Sequence, residues 1–328
     1  MAARLEIRDL TVSFPDDSGE VPVVRGLSLD LAQGEIVGLV GESGSGKSLT
    51  ALAVLGLVPP PGRIAGGSIR LDGRELRGCA ERELRPVRGG RIGLIFQEPS
   101  AALNPVLTIG VQIVEAIRAH RAIGRREARR QAAELLARLA LPDPERRLEE
   151  YPHQLSGGQR QRALVAIALA AGPDLLLADE PTTALDVTVQ AQVLEMFRAL
   201  RRDLGLGILL ITHDLAVLAE TCDRVAVVYA GRVVEEGPVR DLFERPLHPY
   251  TRGLLASLPR LGRPAARGEL PSIPGQVPSP LRRPPGCAFH PRCGERRPEC
   301  SEHEPERVEV GPGRAARCVL LSGGGGPR

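Results

Sequence analysis

This sequence predicts an α/β fold with a mostly parallel sheet, and three observations point to it. A short, nearly continuous apolar run, Gly34 to Val40, feeds a glycine-rich loop and then the helical pattern Ser48 to Leu57. After Tyr151 helices and strands alternate, as helix 156–171, strand Leu175 to Ala178, helix 188–203 and strand Ile208 to Thr212. Around that core the periodicity changes, to strand-like alternation before Leu31 and to helical spacing between about 111 and 150.

Taken in order, Leu5-Glu6-Ile7 and Leu10-Thr11-Val12-Ser13-Phe14 alternate as strands, a turn-rich loop covers Pro15 to Glu20, and strand character returns over Val23 to Leu31. From about 111 to 150, Ile113, Ile117, Leu135, Leu136 and Leu139 fall on apolar helix faces, so an inserted helical subdomain is expected at about 98–172. The arginines from Arg118 to Arg130 are read as a solvated helix face rather than a docking patch. Beyond Leu258 prolines accumulate, at 259, 264, 271, 274, 278, 280, 284 and 285, marking a linker into a small cysteine-bearing module, with Gly323 to Arg328 expected to be disordered. The expected division is 1–258 and 259–328.

Composition bounds the function classes. The 328 residues, 42% hydrophobic, suffice for one substantial domain and a smaller appendage. A net charge of +3 from 43 basic and 40 acidic residues, without a single-sign tail, gives no reason to expect a nucleic-acid partner. No stretch approaches the roughly 18 apolar residues of a spanning helix, and Met1-Ala2-Ala3-Arg4 lacks a signal-like apolar segment, so a cytoplasmic chain is expected. Lys47 is the single lysine and every other basic residue is arginine. A planar guanidinium cannot replace a compact ammonium in a narrow nest, which singles out position 47.

Gly41-Glu42-Ser43-Gly44-Ser45-Gly46-Lys47-Ser48 fits the G-x-x-x-x-G-K-S/T loop in its required setting, after a strand and at the start of a helix. Glycines let successive N–H groups curl toward phosphate oxygens, and the helix start adds the positive end of its dipole. Lys47 is expected to neutralise β- and γ-phosphates and Ser48 to ligate Mg²⁺. The apolar strand Leu175 to Ala178 ends in Asp179 and Glu180. Side chains alternate along a strand, so the two carboxylates take different jobs: Asp179 supports Mg²⁺ and Glu180 polarises an attacking water.

Leu155-Ser156-Gly157-Gly158-Gln159 resembles the signature of the ATP-binding-cassette family. Ser156 is expected to cap the following helix, with Gly157 and Gly158 exposing N–H groups to a second phosphate. Further family motifs follow in order: Gln97 in Ile95 to Pro99, Asp186 in Ala184-Leu185-Asp186, and His213 in Ile211 to Asp214. The resemblance implies a phosphate-loop NTPase (RecA-like) core with an antiparallel β subdomain. It implies ATP sandwiched in a head-to-tail dimer, Gln97 touching Mg²⁺ and sensing a membrane partner, Asp186 communicating across the dimer, His213 contacting the γ-phosphate, and Phe14 stacking on adenine.

Ala178 to Gln192 and Leu247-His248-Pro249-Tyr250-Thr251 resemble the oligopeptide and dipeptide importer branch, which includes nickel and glutathione importers. That branch implies ATP hydrolysis coupled to import, two membrane-spanning permease subunits, a second homologous or identical ATPase, an extracytoplasmic binding protein, and a place at the cytoplasmic face of the inner membrane. Gln159 departs from the methionine that peptide-importer subunits often carry. Cys287, Cys293, Cys300 and Cys318 fit neither the C-x-x-C zinc ribbon nor the ferredoxin run. Resemblance favours a [4Fe–4S] cluster, with zinc or unligated thiols as alternatives. A non-transport ATPase acting on nucleic acid and a regulatory nucleotide-binding module are the rival classes.

Overall fold

The computed structural model describes residues 3–17, 19–96, 102–183, 185–258 and 272–322. The strands are β1 Ala3–Asp16, β2 Gly19–Ala32, β3 Ile36–Val40, β4 Arg63–Leu71, β5 Arg74–Glu75, β6 Ile92–Ile95, β7 Leu175–Asp179, β8 Gly207–Thr212, β9 Arg224–Tyr229, β10 Arg232–Pro238, β11 Val308–Gly311 and β12 Arg314–Ala316. The chain divides into two compact units, one of Met1–Arg4, Leu31–Ile36 and Gly78–Ile211, the other of Leu5–Asp30, Val37–Arg77 and Thr212–Arg328.

In the first unit β6, β7 and β8 run parallel, with Ile95 beside Ala178 and Asp179 beside Ile211. Their side chains are almost all buried, as the continuous apolar runs require of strands covered on both faces. The inserted segment forms helices Ile109–His120, Arg125–Arg138 and Pro144–Glu149, followed by Gly157–Leu169. Thr108 starts the first by accepting a hydrogen bond from the Val111 N–H at 3.3 Å. Ile113, Ile117, Leu136 and Leu139 are buried, and Leu135 is half-buried. The arginine-rich face carries its own acidic partners: Arg129 pairs with Glu149 at 2.7 Å and Arg130 with Glu127 at 2.5 Å. That is the behaviour of a solvated surface.

The second unit opens with an antiparallel sheet in the order β2-β1-β4-β5. The alternation Leu5, Ile7 changes phase at Leu10, Val12, and all four side chains are buried. The sequence pattern suggests two strands, but the structure makes one. A bulge between Arg8 and Thr11, with Asp9 at φ 48°, shifts the register by a residue and returns the later apolar side chains to the core. Also in this unit β3 pairs in parallel with β9, β9 antiparallel with β10, β10 with β12, and β12 with β11.

These last pairings change the picture of the C-terminal region. The expected linker at 259–271 and the tail at 323–328 lie outside the described residues, but 272–322 share a compact unit with everything from Thr212 onward. The hairpin β11–β12 extends β10, and its Ala315 and Ala316 are buried. Phe289 packs on Tyr229 and Tyr250 at ring separations of 5.2 and 5.3 Å. This segment therefore draws its core from the rest of the unit. The Leu247-His248-Pro249-Tyr250 stretch is anchored there too, since buried Glu235 accepts hydrogen bonds from the N–H groups of Leu247 and His248, both at 2.8 Å. His248 caps helix Pro249–Ala256, its Nδ1 accepting from the Tyr250 N–H at 3.0 Å.

Two expectations follow. A chain ended at Leu258 loses the burial of Phe289 and the strand on β10, and should melt roughly 5–10 °C lower; an unchanged melting temperature would contradict the shared core. Burial holds His248 down to about 3, below its unfolded value of about 6.5. Below that unfolded value the unfolded chain binds the extra proton, so this residue's contribution is lost as pH falls from 6.5 toward 3. His248→Asn, a cap that does not titrate, should flatten the acid limb of stability measured by denaturation at pH 7 and 4.5.

Candidate nucleotide site

In the second unit β3 ends at Val40 and the loop Gly41 to Gly46 leads into helix Lys47–Val54. Gly41 sits so tightly that a Cβ there would fall 2.1 Å from the Val228 carbonyl oxygen, and only glycine fits. Gly44 and Gly46 take φ of 76° and 97°, the left-handed values that curl the loop around the helix start. Lys47 is buried, and its Nζ donates to the carbonyls of Gly41 at 2.8 Å and Glu42 at 3.0 Å. A buried ammonium needs such oxygens, and three rotatable donors on a thin stem reach them where a guanidinium fork does not. The Gly231 N–H donates to the Ser45 carbonyl at 3.0 Å, fixing the far side of the loop. Ser43 and Gly44 are exposed at its crest, and Ser48 is half-buried in the first helical turn.

Phe14 and His213 belong to the same unit. The Phe14 ring is half-buried against Gly62, where a Cβ would meet it at 2.5 Å. His213 is exposed directly after β8, and its neighbour Asp214 starts helix Leu215–Thr221 by accepting from the Ala216 N–H at 2.8 Å.

The first unit holds the remaining described candidates. Asp179 ends β7 and is buried, whereas Glu180 is half-buried in the turn that follows. Glu180 has φ of 46°, a left-handed conformation that costs a β-carbon residue energy. The turn is locked from both sides: the Glu180 N–H donates to the Ile211 carbonyl at 2.8 Å, and the Thr183 N–H donates to the Glu180 carbonyl at 3.2 Å. Thr183 Oγ1 also donates to Glu180 Oε2 at 2.8 Å, which fixes the carboxylate's rotation.

Helix Gly157–Leu169 begins with a reciprocal capping box. Ser156 Oγ accepts from the Gln159 N–H at 3.4 Å, and Gln159 Oε1 accepts from the Ser156 N–H at 3.0 Å. Glutamine at this position thus has a local structural reason that methionine could not supply. Asp186 caps helix Val187–Leu204, accepting from the Val189 N–H at 2.9 Å. The two helix starts approach so closely that a Cβ on Gly158 would lie 2.6 Å from Val189 Cγ1. Gln97 lies outside the described residues.

Two metal expectations meet different donor sets. For Mg²⁺, the expected ligands are Ser48 in the second unit and Asp179 in the first, and each carries an oxygen donor of the type that ion takes. The iron–sulfur and zinc expectation is not supported. Among the described residues no group of three or more His, Cys, Asp or Glu side chains is arranged to hold a metal ion. Burial pushes the Cys287 thiol up to about 11, with Cys300, Cys318 and Cys293 adding to the rise, and it raises Cys293 and Cys318 in the same way. The order of this segment has another source, the β10–β12 pairing and the Phe289 contacts.

Three residues of the site region escape motif reading. Thr183 holds Glu180; its only sequence signal is a hydroxyl three residues after the carboxylate, the spacing of a turn. Tyr250 Oη accepts from the Glu42 N–H at 3.0 Å, and Arg292 pairs with the Glu42 carboxylate at 2.9 Å. Both join positions more than 200 residues apart, where no local pattern points.

A family model described as "ABC transporter" matches residues 24–183, and one described as "Oligopeptide/dipeptide transporter, C-terminal region" matches 234–300. A peptide import ATP-binding protein of Brucella abortus (strain 2308) is 50% identical over 317 residues, 97% of this chain and 95% of that protein. The dipeptide transport ATP-binding protein DppD of Bacillus subtilis (strain 168) is 47% identical over 293 residues, 89% of this chain and 87% of that protein. Among solved structures, the ATP-binding cassette MJ0796, in a dimeric post-hydrolysis state bound to ADP and Pi, is 29% identical with a TM-score of 0.63, over 72% of this chain and 99% of that one. This chain belongs to the ATPases of the ATP-binding-cassette transporter family, with the C-terminal region of the oligopeptide and dipeptide transporters.

Proposed function

We propose that this chain hydrolyses ATP to power import of di- and oligopeptides through a membrane complex. The observation that carries the catalytic half is Glu180, held in a strained, doubly tethered turn immediately after Asp179, with Thr183 fixing its carboxylate. Backbone strain retained at a carboxylate that is also tethered through its side chain supports a role in chemistry. The cargo class follows the relatives of known naming, whose similarity spans nearly the whole chain.

In this reading the N–H groups of the loop Gly41 to Ser48 receive the β- and γ-phosphates at a helix N-terminus, and Lys47 exchanges its loop carbonyls for phosphate oxygens. Ser48, Asp179 and Gln97 would hold Mg²⁺, which supplies charge neutralisation on the phosphates. Glu180 polarises the attacking water, His213 steadies it against the γ-phosphate, and Phe14 stacks on adenine. No covalent intermediate is required, because positioning and electrostatic stabilisation carry phosphoryl transfer. Ser156 to Gln159 present the capped start of helix Gly157–Leu169 to the ATP of a second ATPase, homologous or identical, and Asp186 lies beside that start.

Among the described residues no helix is long and apolar enough to cross a membrane. In this reading, which rests on the resemblance to peptide importers, two permease subunits supply the path, an extracytoplasmic binding protein delivers peptide, and this chain sits at the cytoplasmic face of the membrane.

The test is uptake of labelled di- and oligopeptides, with nickel as control, in cells lacking the gene and complemented by wild type or Glu180→Gln. Wild type should restore peptide uptake, and the variant should bind ATP yet lower turnover by at least about a hundredfold. Uptake restored equally by both would remove Glu180 from its role, and restored nickel uptake alone would replace the cargo.

A further inference from the structure

The phosphate-loop pattern leaves its second position open, and here that position is Glu42, a carboxylate on a loop built to receive polyanions. Arg292, from the short helix His290–Arg292 flanked by Cys287 and Cys293, meets it. Its Nη1 donates to Glu42 Oε1 at 2.9 Å and Oε2 at 3.2 Å. The arginine side chain is only 7% exposed, against 31% for Glu42. Arg292 is itself fixed: Nε donates to the Pro274 carbonyl at 2.8 Å, Nη1 reaches Tyr229 Oη at 3.4 Å, and the guanidinium lies 5.8 Å from the Tyr229 ring centre. The Glu42 N–H is taken up by Tyr250 Oη. Both the backbone and the side chain of one loop residue are thus held by residues from 229 onward.

We propose that Arg292 is a positioning residue for ATP binding: it holds Glu42 away from the phosphate path and neutralises its charge. This rests on reading Gly41 to Ser48 as the ATP site. Without the guanidinium, a bare carboxylate stands on the loop that must accept a triphosphate, and like-charge repulsion weakens binding. The C-terminal region thereby sets the affinity of the nucleotide site.

The test uses the full-length chain, with ATP affinity measured by titration calorimetry and KM and kcat in the assembled transporter. Arg292→Ala should weaken ATP binding and raise KM about tenfold while leaving kcat within about twofold. Arg292→Lys, which keeps the charge, should recover part of the loss. The double variant Glu42→Gln with Arg292→Ala should recover most of it, because no charge is left to compensate. Wild-type affinity in Arg292→Ala overturns the proposal while the ATP site stands. A loss that neither Arg292→Lys nor the double variant repairs, accompanied by lowered melting temperatures, assigns Arg292 to holding the fold and also overturns it. Failure of the wild-type chain to bind ATP overturns the reading of the loop itself.

Discussion

Burying one ammonium ion organises the second unit. Lys47 is buried at the start of the helix that follows a tightly turned loop, and its ammonium is solvated by two carbonyls of that loop at 2.8 and 3.0 Å. Each neighbouring choice serves that arrangement. Gly41 clears the Val228 carbonyl, Gly46 turns the chain into the helix, and Gly231 clamps Ser45. An ammonium held by exchangeable carbonyl oxygens is poised to move to stronger anionic acceptors, since hydrogen bonds to ionised groups exceed those to neutral ones. The same economy explains why one lysine persists in a chain whose other basic residues are all arginine.

The C-terminal region bears on this loop through packing. Phe289, Tyr229 and Tyr250 form one aromatic cluster joined by the ring of His248, whose backbone N–H is held by Glu235, a carboxyl that burial pushes above its usual range. From it Tyr250 reaches the Glu42 backbone and Arg292 the Glu42 side chain. A region that reads in sequence as a proline-rich, cysteine-bearing appendage shares a core with the rest of the second unit, with Cys300 and Cys318 buried and Cys287 and Cys293 half-buried.

Much of the candidate site's local geometry was legible because it is set within a few positions. A glycine-rich loop after an apolar strand, two carboxylates ending another, and Ser156 three residues before Gln159 all encode geometry within a few positions, and Ser156 caps its helix as its residue type requires. The strand β1 was legible in content but not in continuity, because the bulge at Asp9 appears in sequence only as a change of phase. The contacts that Arg292, Tyr250 and Thr183 make were not legible, although Tyr250 and Thr183 fall within stretches that carry the family resemblance. Their roles depend on where the fold places Glu42 and Glu180, and a strained backbone at Glu180 leaves no mark in residue identity.

The most direct test of the central claim is equilibrium ATP binding by the full-length chain carrying Lys47→Arg. A guanidinium cannot enter a nest sized for an ammonium, so the variant should lose ATP binding as completely as Lys47→Ala does, while its melting temperature stays close to that of the alanine variant. Wild-type ATP affinity in Lys47→Arg would contradict the account, because the loop would then be reading positive charge alone.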